Sequence, residues 1–212
     1  MRRRLWIFDG LQYTGLTVAV AAFYTLMITL QQSLSWEDIQ MVFPLYLALM
    51  GGLMATICAM TAHRVQLQVA ISLGLTRRES WGGIHLLRLI PAVGVSILVA
   101  VLAAVCRNAL AAPWQLLVLC LGIQLFCAAL GTLLGLAYLK WGRFGTLLTV
   151  LVAIFAGGLG GFGAVMGLET LGVDRLFSGD VLPWLILAFG AICYGLVQIP
   201  EGRTLTHMQV RI

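Results

Sequence analysis

The sequence predicts an all-α fold: a polytopic membrane helix bundle with six transmembrane helices in a single domain, 1–212, and both termini in the cytoplasm. Three observations predict it. Stretches of about 20 apolar residues recur along the chain, each long enough to cross a hydrocarbon core of about 30 Å. Of 212 residues, 61% are hydrophobic and 10% charged, against roughly 25% charged in a soluble domain, so water alone cannot solvate this surface. The basic residues divide unequally between the loops. Arg2, Arg3, Arg4, Arg64, Arg77, Arg78, Arg88, Lys140, Arg143, Arg203 and Arg211 fall on one side, Arg107 and Arg175 on the other, which makes the first side cytoplasmic. The outer loops are acidic instead, with Glu37, Asp38, Glu169, Asp174 and Asp180.

The elements follow in order. Met1-Arg2-Arg3-Arg4 opens the chain, but the apolar run after it continues to about residue 34, so the first span reads as uncleaved. Residues 5–11, with three arginines before them, read as a helix lying on the inner leaflet; the alternative is that they begin the first span. The spans are 15–34, 42–61, 89–105, 116–139, 146–167 and 184–199. Trp36, Trp114 and Trp184 stand at the outer ends of these spans, and Trp6, Trp81 and Trp141 at the inner ends, as an aromatic belt requires. Gly131 with Gly135, Gly157 with Gly161, and Gly163 with Gly167 form GxxxG pairs. In lipid, helices associate by close backbone approach, and such pairs permit it.

No ionisable side chain falls well inside any of these spans. Such residues mark proton relays and ion paths, so the pattern argues against a proton-coupled transporter, an ion pump and a paired-aspartate protease. Gln124, near the middle of the fourth span, is the candidate polar residue on a translocation path, with helix-to-helix bonding as the simpler role. His63, His85 and His207 are read as cytoplasmic and scattered. The five cysteines include no CxxC, so neither a disulfide framework nor a zinc site is expected. Met50, Met54 and Cys58 share a helix face and read as packing rather than a copper site. There is no phosphate loop, Rossmann glycine pattern or nucleophile motif. The basic residues lie at helix ends with no aromatic interleaving, and nucleic acid is not an expected partner.

One cytoplasmic segment, 63–88, has a design of its own. From Val65 to Leu75 apolar residues alternate, formally a strand signal. A lone strand beside a membrane has nothing to pair with. The segment is therefore expected to continue the second span as a helix and stop at Gly74 as a C-cap. Thr76-Arg77-Arg78-Glu79 then matches a capping box opening a new helix, with two arginines displayed at the turn.

Ser72-Leu73-Gly74-Leu75-Thr76-Arg77-Arg78, followed by Gly82 and Gly83, resembles the S-x-G-x-T-R-R/K segment of bacterial ABC transporter permeases of the six-span exporter class. The six-span layout, inside termini and short basic tail are similar to that family as well. The resemblance implies a coupling helix between spans two and three that docks on a separate ATPase chain, with Gly74, Thr76, Arg77, Arg78 and Glu79 as the docking residues. It implies further that ATP and magnesium are bound by that partner, that this chain is not itself an enzyme, and that it pairs with a second permease as a homodimer or heterodimer. The setting would be a bacterial plasma membrane, and charge-free walls would suit a peptide, a lipid or a hydrophobic compound. The chain departs from the family in its small outer loop, 169–183. A non-transport scaffold or sensory subunit remains the alternative, in which the arginine pair only anchors the loop on the inner side.

Overall fold

The fold is that of a computed structural model, which describes residues 2–32, 35–72, 74–106, 112–142 and 181–207, with 144, 145, 147 and 151 between them. Among the described residues the structure is helical and contains no strand. Helix α1 is Arg2–Gln32 and α2 is Trp36–Thr61; α2 runs through a π-helical turn, Ala62–Gln66, into the short α3, Leu67–Ser72. After a turn come α4, Arg77–Val105, α5, Pro113–Trp141, and α6, Val181–His207.

Among the described residues, four stretches are long and apolar enough to cross a membrane: Trp6–Leu30, Glu79–Val105, Pro113–Trp141 and Val181–Thr204. The shortest has 24 residues, about 36 Å of helix at ~1.5 Å per residue. Tyr46–Thr61 of α2 is a shorter apolar stretch. The expected fifth span, 146–167, and its glycine pairs lie outside the described residues, single positions aside.

Contacts fix the direction of each helix. Tyr13 Oη meets Thr61 Oγ1 at 3.5 Å, and the Tyr24 and Tyr46 rings stand 6.3 Å apart, so α1 and α2 are antiparallel. Gly10 faces Ile90 and Gly94 faces Thr14, which makes α1 and α4 parallel. Thr56 Oγ1 donates to the Cys127 carbonyl at 3.2 Å, and His63 lies on Gly135, so α2 and α5 are parallel. Trp114 pairs with Trp184 at 6.5 Å and Phe126 with Phe189 at 5.5 Å, which makes α5 and α6 parallel too. The start of α1, the ends of α2, α5 and α6 and the start of α4 therefore gather at one end, with α3.

The expected Gly131–Gly135 face is a helix contact. A Cβ at Gly131 would collide with the Thr56 carbonyl, and one at Gly135 would lie 2.8 Å from His63 Nδ1. A second close approach, which the glycine pairs did not reveal, brings Gly122 of α5 against Gly190 of α6. Leu47, Val95, Val99 and Leu116 form an apolar core in the half of the bundle away from the turn, while Trp6, Ile84, Leu87 and Leu67 form another near the turn.

Two readings change. Residues 5–11 are not a separate interfacial helix: α1 is unbroken from Arg2 to Gln32. An isolated glycine costs a helix only about 1 kcal/mol, and Trp6 packs into α4 over Gly83, where a Cβ would overlap its indole. Trp6 is accordingly 7% exposed, a core residue rather than a lipid anchor. The helix opened by the capping box is the third span itself, which therefore starts well before residue 89: α4 runs from Arg77 into the membrane-length stretch without interruption, and the short helix between the second and third spans is α3, before the turn.

Candidate functional site

The turn between α3 and α4 is built by two opposed caps. Gly74 adopts φ 75°, the left-handed conformation that glycine takes without penalty. Its N–H donates to the Ile71 carbonyl at 2.9 Å, and the Leu75 N–H donates to the Ala70 carbonyl at 3.0 Å. Those two bonds are a Schellman motif. Thr76 then caps α4: its Oγ1 accepts from the Glu79 N–H at 3.3 Å, while Glu79 Oε2 accepts from the Thr76 N–H at 3.0 Å. Both caps were legible in the sequence. Gly74, Thr76 and Glu79 are exposed, and Arg77 and Arg78 are the first two residues of α4.

Gln124 is buried between α4 and α5. Its Nε2 donates to Cys120 Sγ at 3.1 Å and to Ser96 Oγ at 3.4 Å, while the Ser96 hydroxyl donates to the Ala92 carbonyl at 2.7 Å. The amide nitrogen is thus committed to joining two helices.

The sequence reading missed the third polar site. Arg88 of α4, Glu201 of α6 and His63 of the π turn meet with their side chains fully buried, at 0–1% exposure. Arg88 grips the carboxylate with both Nη atoms, Nη2 to Oε1 at 2.8 Å and Nη1 to Oε2 at 3.1 Å. His63 Nε2 also contacts Oε1 at 2.8 Å, and its Nδ1 faces the Ala59 carbonyl at 3.0 Å. Arg88 Nη2 lies 3.2 Å and 3.3 Å from the two ring nitrogens. Beside this cluster His85 Nδ1 meets Tyr194 Oη at 3.0 Å, with Trp81 edge-on to the imidazole at 4.5 Å. Trp81, His85 and Arg88 lie along one face of α4, and Tyr194, Gln198 and Glu201 along one face of α6.

This cluster overturns two expectations. Arg88 and Glu201 lie within membrane-length stretches, so ionisable side chains are present there, and the argument against proton coupling loses that premise. His63 and His85, far apart in sequence from Glu201 and Tyr194, are brought beside them. The signal was the pair of opposite charges one turn or less beyond the expected span ends. A hydropathy reading stops at the first charge, whereas α4 and α6 continue through it. Among the described residues no group of three or more His, Cys, Asp or Glu side chains is placed to hold a metal ion.

No protein-family model, curated protein or solved structure matches the chain.

Proposed function

We propose that this chain is the membrane-embedded permease subunit of an ATP-driven ABC exporter, set in a bacterial plasma membrane with both termini inside. It would pair with a second permease, identical or different, and receive ATP-driven motion from a separate ATPase that binds the ATP and magnesium. The observation that carries the reading is the turn 74–79. Two rigid caps fix its backbone and leave Gly74, Thr76 and Glu79 exposed at the end of the bundle. Arginines in a first turn oppose the helix dipole, each at a cost of about 0.3–1 kcal/mol. Cations kept in that position suit an acidic partner surface. The six-span layout draws support from the parallel run of α5 and α6. The connection leaves α5 at the turn end, at Gly142, and reaches α6 at the opposite end, at Val181. The apolar clusters among the described residues suit export of a peptide, a lipid or another hydrophobic molecule.

Replacing Arg77→Gln and Arg78→Gln together tests the reading, with the proposed partner ATPase as bait. Each charge-assisted contact is worth about 1.5–3 kcal/mol, so losing two weakens the complex by roughly two to four decades at ~1.4 kcal/mol per decade. Membrane abundance should stay unchanged while the ATPase is no longer retained. Normal retention would end the docking role of the arginines and leave them as anchors, whereas an unsubstituted chain that retains no ATPase would favour the scaffold or sensory alternative.

A further inference from the structure

The π turn Ala62–Gln66 carries one residue more than an α-helical path needs. Such turns are rare and concentrate at functional positions. Its second residue is His63, pinned by Glu201 and the Ala59 carbonyl and overlain by the Arg88 guanidinium. From Val65 in the turn onward, the alternation of Val65, Leu67, Val69 and Ile71 spreads apolar side chains around the helix instead of gathering them in one stripe. Leu67 and Ala70 are buried toward α4 and Trp6. Val65 and Val69, on other faces, are 53% and 50% exposed. A helix with this pattern has apolar residues to offer in more than one register.

We infer that α3 and the π turn form a two-position register switch, held in its present position by the Arg88–Glu201–His63 cluster. When the cluster lets go of His63, the π turn relaxes to α-helix. Every residue beyond it then rotates about 100° around the axis, the angle of one residue. Gln66, Val69 and Ala70 take the places Leu67, Ala70 and Ile71 hold now, so α3 exchanges Leu67 for Gln66 and keeps its apolar contact with α4 through Val69 and Ala70. Gly74 and Leu75 move with α3, while Arg77–Glu79, the first turn of α4, stay with that helix. The rotation is a property of this chain alone; that it re-aims a surface used by an ATPase rests on the function proposed above.

The test is a spin-label distance in lipid nanodiscs, with the native cysteines replaced by alanine. Gln68→Cys on α3 and Lys140→Cys on α5 are both exposed positions. Glu201→Gln removes the charge that holds His63 and should move the label separation into a new population. The displacement is about 8 Å, the chord of a 100° turn on a helix of about 5–6 Å radius. His63→Leu leaves the Arg88–Glu201 pair in place and should produce the same shift, which covers the case in which Glu201→Gln does not fold. Deleting Gln66 removes the extra residue and leaves both flanks in register, so the shift should vanish in that background. An unchanged distance in a folded Glu201→Gln or His63→Leu protein overturns the switch, and so does a shift that persists without Gln66. No ATPase takes part in the measurement, so failure of the docking proposal leaves its outcome untouched.

Discussion

Two of the polar sites that the bundle buries are built differently. At mid-bundle Gln124 bonds to Cys120 on its own helix and to Ser96 on α4, all uncharged. At the turn end Arg88, Glu201 and His63 come from three helical segments, separated by 25 to 138 positions in sequence. The first site can be lost at little cost, because a neutral amide finds other partners. The second cannot lose Arg88 or Glu201 alone, because a buried charge without its counter-ion has nowhere to go. In this chain charge specifies where a helix end sits, and neutral hydrogen bonds reinforce packing that glycine and apolar contacts already provide.

Glu201→Ala breaks the comparison most sharply. It strands Arg88 and should destabilise the folded bundle by about 3–5 kcal/mol, whereas Arg88→Met combined with Glu201→Leu should recover most of that loss. Unfolding of the two variants in detergent micelles reads the difference, and equal losses would mean that the charges are not a pair. Gly131→Ala comes next. The added methyl meets the Thr56 carbonyl and Ala59, and forcing α2 and α5 apart should cost about 1–3 kcal/mol. The same unfolding measurement would show no loss if the close approach were not tightly packed. The smallest effect is expected of Gln124→Leu, about 0.6 kcal/mol, the usual size of a hydrogen bond between membrane helices. A loss as large as that of Glu201→Ala would erase the distinction between the two sites.

The parts of this fold that were legible rest on local chemistry. Gly74, Thr76 and Glu79 make bonds within five residues of themselves, and the sequence alone placed both caps. The Gly131–Gly135 face follows from a spacing on one helix. What could not be read depends on helices that meet only in the fold. Arg88 and Glu201 each look like an interfacial charge until the other is beside it. Gly122 and Gly190 belong to different helices, so no motif joins them. The continuity of α1 through Gly10 and Gly15 was obscured because three arginines followed by an aromatic pair describe an interfacial helix equally well. It was the Gly83 gap on α4, invisible from the N-terminal sequence, that received Trp6.

The separation of Arg88 from its carboxylate also sets a schedule for biosynthesis. Glu201 follows Arg88 by 113 residues, and ribosomes add about 5–20 residues per second, so the arginine waits roughly 6–20 s for its counter-ion. During that interval α1, α2, α4 and α5 can assemble, but the guanidinium must be kept hydrated at the membrane surface or held by the insertion machinery. Arrival of α6 ends the wait. A ribosome that stalls before Glu201 leaves α1, α2, α4 and α5 with a cation that has no counter-ion.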